Sequence, residues 1–243
     1  MNAQTLTTVT PGCLTIAASN FDARPMSYLS QEGERLGYEP DLARAVCTLL
    51  GLKPIWRNLP MADFYPSLQT GHYDCVWFNQ AITPERQSQV DFTHPYGLFD
   101  EAVLVRTDSP VHAPEDLARQ RVGGLADSTN IALAERFAGV KTIPFPGSDK
   151  VLPEMLAALR AGEIDALVDD ELVLIVAAED DPNLRLAFSV PTQVPFAIAL
   201  PKNQTASLNA LNDILNTLIV DGTVAQIWEK WIPWKPFPLS NSL

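Results

Sequence analysis

The chain has 243 residues, 47% apolar and 19% charged: ample for a sizeable core and neither a disordered nor a fibrous composition. Acids number 29 against 17 Lys plus Arg, a net charge of −12, which argues against nucleic-acid partners and anionic membrane surfaces, since both want a basic face. No stretch approaches the roughly 18–20 apolar residues of a membrane span, and the polar start MNAQTLTTVTPG carries no signal-peptide pattern.

In chain order, CLTIAA (13–18) predicts a strand and PDLARAVCTLLG (40–51) a helix ending at Gly51. KPIWRN (53–58) reads as a strand, ADFYPSLQTG (62–71) as a short helix stopped by Gly71, and YDCVWF (73–78) and AVLVR (102–106) as strands. RVGGL (121–125), a helix over about 128–137, KTIPF (141–145), a helix over about 150–161 and IDALVD (164–169) follow a turn-rich patch. A helix near 170–179, strands LRLAF (184–188) and FAIAL (196–200), and one helical tail over about 206–231 punctuated by Gly222 complete the chain. Strands alternating with helices predict an α/β fold with a parallel or mixed sheet.

Ser67-Leu68-Gln69-Thr70-Gly71-His72-Tyr73-Asp74, followed by the apolar run 75–78, returns 91 residues later as Ala158-Leu159-Arg160-Ala161-Gly162-Glu163-Ile164-Asp165 before Ala166-Leu167-Val168. Leu, Gly and Asp recur at the same offsets, which predicts two similarly built α/β lobes. The same offset matches Asn79 to Asp170 and places both just past the carboxyl end of a strand, where open α/β sheets bind ligands. A cleft between two such lobes is a favoured ligand site.

Chemistry is sparse. No GxGxxG, P-loop, GxSxG or HExxH motif occurs, and Gly123-Gly124 lacks the further glycine of a dinucleotide fingerprint. Cys13, Cys47 and Cys75 form no CxxC, and His72, His94 and His112 are scattered, so neither a metal nor a cofactor is expected. The cysteines read as small core residues; one bridge, Cys13 to Cys75, stays open if their strands are neighbours. By themselves Asp169-Asp170-Glu171 read as a solvated helix start and Arg86 as a surface residue opening a helix.

Five segments shift that reading. Leu36-Gly37-Tyr38-Glu39-Pro40-Asp41-Leu42-Ala43 resembles a GxxxDLA segment, and Pro66 to Asp74 a PxLxxGxxD helix-to-strand junction. Ala81-Ile82-Thr83-Pro84-Glu85-Arg86 with Val90-Asp91-Phe92-Thr93-His94-Pro95-Tyr96 resembles TxxR…DFSxPY, Ala158 to Ala166 the second-lobe junction, and Asp221-Gly222-Thr223 with Trp228 and Trp231 a closing DGT…W segment. In this order, from Gly12 to about Pro233, the chain resembles the family 3 solute-binding proteins of amino-acid ABC importers.

The resemblance implies a two-lobed, periplasmic-binding-protein-like α/β clamp: lobe 1 over 12–102 and 199–243, lobe 2 over 105–195, and a hinge near 103–104 and 195–198. It implies a non-enzymatic, monomeric receptor, periplasmic or extracellular with its signal segment absent from this chain. Its partners would be a polar or basic amino acid, or a related small zwitterion, and a membrane permease. Arg86 would grip the ligand carboxylate with a planar fork suited to two oxygens, Asp170 would take the ammonium, and Asp127-Ser128-Thr129 would supply amide and hydroxyl donors.

Phe78-Asn79-Gln80-Ala81 departs from the family's usual hydroxyl-bearing residues, and Asp127 stands where glycine is common. Phe21 is the candidate aromatic lid, and Phe64 lines the same rim. Trp77 reads mainly as core, and Arg24 as a solvent-facing loop residue. Two acids against Arg86 favour a polar or basic ligand over an acidic one. The alternatives are a cyclohexadienyl dehydratase-like enzyme, with Glu171 as a candidate acid, and the sensing domain of a receptor.

Overall fold

The computed structural model describes residues 6–239. In chain order these form β1 (Cys13–Ala18), β2 (Tyr28–Leu29), β3 (Arg35–Leu36), α1 (Tyr38–Leu50), β4 (Lys53–Asn58), α2 (Phe64–Leu68), β5 (Cys75–Ala81), α3 (Pro84–Gln89), β6 (Asp91–Phe92) and β7 (Gly97–Arg106). Then come β8 (Arg121–Leu125), α4 (Thr129–Ala134), β9 (Lys141–Phe145), α5 (Val151–Arg160), β10 (Ala166–Asp170), α6 (Glu171–Asp180), β11 (Leu184–Leu200), α7 (Thr205–Val220) and α8 (Thr223–Trp231).

They divide into two compact units. Unit 1 holds residues 6–20, 26–98 and 194–239, and unit 2 holds 21–25 and 99–193. The chain passes between units within β7, at Leu98–Phe99, and within β11, at Gln193–Val194. The sequence reading put the crossings near 103–104 and 195–198, a few residues further along the chain in both cases. The short segment 21–25 belongs with unit 2 although its flanks belong to unit 1.

In unit 1 the strand order is β4-β1-β5-β11, with β6 also on β11. β1 is parallel to β4 and β5, and β11 is antiparallel to β5. In unit 2 the order is β9-β8-β10-β7. Here β8 is parallel to β9 and β10, and β7 is antiparallel to β10. Each unit therefore has three parallel strands closed by one antiparallel strand.

The short internal repeat has a physical cause in this layout. Gly71 and Gly162 stop their helices at φ of +72° and +71°, a left-handed conformation that glycine enters without a Cβ penalty. The aspartate three residues on then pins the neighbouring parallel strand. Asp74 Oδ2 accepts from Thr15 N at 2.6 Å, and Asp74 N donates to Thr15 O at 2.9 Å. Asp165 does the same to Arg121: its Oδ2 accepts from Arg121 N at 2.9 Å, and its N donates to Arg121 O at 2.8 Å. The register follows, with Cys75 opposite Ile16 and Ala166 opposite Val122.

Unit 1 buries Leu14, Ile16, Leu42, Val46, Trp77, Tyr96, Phe196, Leu215 and Trp228. Trp77 is thus core, and Tyr38 stacks edge-on against Trp228 with centroids 5.2 Å apart. Unit 2 buries a cluster including Val103, Val105, Val122, Ile131, Ala166 and Val168. Gly123 serves this packing rather than a phosphate: a Cβ there would lie 2.6 Å from Ile164 Cδ1.

Several local expectations change. LRLAF and FAIAL are parts of one 17-residue strand. The tail is two helices, because Gly222 takes φ +83° between α7 and α8. The helix expected over 62–71 shortens to α2 behind a 3-10 turn at Met61–Asp63. β1 and β5 are neighbours, yet Ile16 and not Cys13 stands opposite Cys75, and all three thiols are free. Among the described residues no helix is long and apolar enough to cross a membrane, and no three His, Cys, Asp or Glu side chains gather as a metal site.

Candidate functional site

In unit 1 the predicted residues converge on the end of β5. Asn79 takes φ +50° inside the strand, a left-handed backbone that Asn tolerates better than most residues. That turn breaks strict alternation, and Phe78, Gln80 and Ala81 are all buried. Asn79 N donates to Glu39 Oε1 at 2.6 Å. Glu39 comes from the first turn of α1, is 0% exposed, and also accepts from the Tyr96 hydroxyl at the same oxygen. Its Oε2 has no hydrogen-bond partner among the described residues. Burial pushes its carboxyl up to about 7, against the pull of Tyr96, the Asn79 amide and Arg35.

Arg86 lies in α3, whose start is capped by the Thr83 hydroxyl accepting from Arg86 N at 3.2 Å. Its Nη1 donates to Ala81 O at 3.2 Å, and its guanidinium sits 5.8 Å from the Tyr65 ring centroid. Tyr65 donates to Gln80 Oε1 at 2.8 Å, while Gln80 Nε2 donates to Phe78 O. Both ends of the Gln80 amide are therefore engaged inside unit 1, where they brace the ring under Arg86. Phe64 is 1% exposed and packs edge-on against Phe78 at 6.1 Å.

In unit 2, Asp127 is exposed at φ +56°, which gives the physical reason a glycine suits that position. Ser128 caps α4: its Oγ accepts from Ile131 N at 3.2 Å and donates to Leu125 O at 2.6 Å. The hydroxyl is thus spent locally. Thr129 opens α4. Asp170 is the last residue of β10, 8% exposed, and accepts from Asn130 Nδ2 at 3.2 Å. The repeat's two matched residues lie within their strands rather than beyond them. Phe21 is half-buried in the 21–25 segment. Arg24, in the same segment, pairs with Asp22 and with Asp180 at the end of α6, each at 2.6 Å.

Two acids escaped the sequence reading. Glu39 stood between Tyr38 and Pro40 in a helix start that also carries Asp41. Glu101 continues the period-2 row of Val103 and Val105, whose face packs the unit 2 core, and it is 2% exposed. An acid at a strand position that alternation buries was the available signal.

Unit 1 thus offers a held guanidinium in the helix that follows β5, and unit 2 a buried carboxylate at the end of the matching strand β10. Residues 14–233 match the model of the bacterial extracellular solute-binding proteins, family 3. The chain belongs to this family. Its α/β fold is that of the family's solved members, and the relatives it matches are named as binding proteins. Among family 3 relatives, the ABC transporter glutamine-binding protein GlnH of Bacillus subtilis (strain 168) is 29% identical over 211 residues, covering 84% of this chain and 75% of that protein. An ancestral arginine-binding protein solved with arginine superposes with a TM-score of 0.82 at 29% identity, over 91% of this chain and 98% of that one. The ancestral amino-acid-binding protein AncCDT-1, a precursor of cyclohexadienyl dehydratase, gives 0.80 at 28% identity, over 90% and 95%.

Proposed function

We propose that this protein captures a polar or basic amino acid, without chemical turnover, and delivers it to the membrane permease of an ABC importer, working as a monomer outside the cytoplasmic membrane. The observation that carries the reading is the pair of matched strand ends: β5 leads to Arg86 in one unit and β10 ends in Asp170 in the other. A zwitterion has the complementary charges. Arg86 takes the α-carboxylate through two parallel N–H···O bonds, which a planar guanidinium provides and a lysine does not. Asp170 takes the α-ammonium, and the amides around Ser128 and Thr129 and the main chain at Asn79 and Ala81 supply further donors. Phe21, Phe64 and Phe78 contribute apolar wall. Residues of both units serve one ligand, so the ligand selects the arrangement in which both contact it, with the two chain passages as hinge.

The ligands named for GlnH and for the ancestral arginine-binding protein support this class. The test is calorimetry with arginine, lysine, histidine, glutamine, citrulline and glutamate. Binding to one of the first five, lost in Arg86→Ala, is the expected result; a preference for glutamate overturns the charge argument. Prephenate and arogenate incubated with the protein are expected to stay unchanged, and product formation would favour an enzyme.

A further inference from the structure

Unit 2 holds a second buried carboxylate that the reading above leaves unused. Glu101 of β7 lies directly opposite Asp170 of β10, and residues so opposed in an antiparallel pair carry their side chains on one face with Cβ atoms about 5 Å apart. Glu101 Oε1 has no hydrogen-bond partner among the described residues, and neither does Thr192 Oγ1. The hydroxyls of Thr129 and Thr192 nevertheless stand close enough to the Glu101 carboxylate to favour its charged form. Glu101 is thus flanked by Asp170 on one side and by the first residue of α4 on the other, two elements that carry predicted ligand contacts.

The charges around Glu101 are mostly of its own sign. Asp100 and Asp169 are its acidic neighbours, and the cation acting on it is Arg136, which is exposed. Burial raises the Glu101 carboxyl above its ordinary value, and burial with the Glu101 charge pushes Asp169 up to about 6. Asp100 is committed elsewhere, its Oδ1 accepting from Gln193 N at 3.1 Å and Nε2 at 2.6 Å. Neutral hydroxyls leave the charge of a buried carboxylate without a buried counter-ion, and such a charge is costly unless a cation meets it.

We propose that Glu101, with Thr192, is a specificity-determining ligand contact that takes a second nitrogen cation, an ammonium or guanidinium, beside the α-ammonium held at Asp170. This rests on the amino-acid-binding reading and narrows it from polar amino acids in general to basic ones. A neutral side-chain amide donates an N–H but leaves two adjacent buried carboxylates against one ligand charge, and an uncompensated buried charge is strongly unfavourable.

The experiment is calorimetry of the full chain and its Glu101→Gln variant with arginine and lysine against their neutral counterparts citrulline and glutamine. The wild type is expected to prefer a cationic ligand, and Glu101→Gln to lose about 30-fold or more for it, the usual loss when one partner of a desolvated charge pair is removed, with citrulline bound as tightly as before or more tightly. Thr192→Val shifts the same ratio in the same direction by less, and it keeps the test alive should Glu101→Gln fold poorly. A merely structural Glu101 moves the melting temperature and leaves the arginine-to-citrulline ratio where it was, which overturns the proposal. Wild-type protein that binds citrulline or glutamine as tightly as arginine overturns it too while leaving the amino-acid reading standing. A wild type that binds no amino acid refutes that reading itself.

Discussion

Glu39 is the group whose removal reports most directly on how unit 1 is held together. Its carboxyl rises from an ordinary 4.5 to about 7 because burial opposes the charge more strongly than Tyr96, the Asn79 amide and Arg35 favour it. Between those two values the folded protein keeps a proton that the unfolded chain has lost, so stability falls as pH rises. At about 1.36 kcal/mol for each pH unit separating the two values, the loss reaches about 3 kcal/mol by pH 8, with about 1 kcal/mol of it above pH 6. Asp169, pushed up to about 6 from an ordinary 3.8, acts in the same direction until pH has risen through that value, and the raised Glu101 carboxyl adds to it.

Glu39→Gln keeps an acceptor for Asn79 N and the Tyr96 hydroxyl and abolishes the titration. Its new amide donor costs something at every pH, so the readout is the pH dependence of the difference between variant and wild type. Urea unfolding from pH 4.5 to 8 is expected to show the variant gaining about 3 kcal/mol relative to wild type across that range. Parallel stability profiles in both proteins would refute the argument that Glu39 is buried and proton-linked. Ligand binding gives a second reading: the Asn79 amide hangs on this side chain, so Glu39→Ala is expected to weaken the ligand even where the protein stays folded.

Arg86→Ala is expected to weaken the ligand about 30-fold or more in calorimetry, and Arg86→Lys to recover only part of it, because a point charge cannot reproduce a fork. Asp74→Ala leaves the amides of Val9 and Thr15 without their acceptor, and Asp165→Ala does the same to Arg121. Each is expected to cost about 1–3 kcal/mol in denaturant unfolding, and a wide disparity between them would deny the shared role. Gly97→Ala drives a Cβ to within 2.3 Å of the Phe196 ring. Overpacking of that kind costs about 1–3 kcal/mol, read as a lower melting temperature, and an unchanged melt would show the ring free to move.

Where structure was written in short-range chemistry, the sequence alone determined it. The Gly-then-Asp spacing after Leu68 and Leu159 reports a left-handed helix stop and a strand-pinning carboxylate, and both act within a few residues of the chain. Helix α1 with its Gly51 stop, strands β1, β4, β8 and β9, and the twofold layout were legible for that reason. Tertiary structure decided what depends on distant register and on desolvation. That Gln80 braces Tyr65 and Phe78 O through its amide depends on the tertiary structure. Cys13 and Cys75 lie on neighbouring strands but out of register, and two strand signals fused into β11 across a segment with no apolar run to mark it. Glu101 faces Asp170 from 69 positions away, and Glu39 reaches the backbone of a residue 40 positions on. The cost of burying a carboxylate depends on every atom packed around it, and those atoms come from parts of the chain that no local window contains.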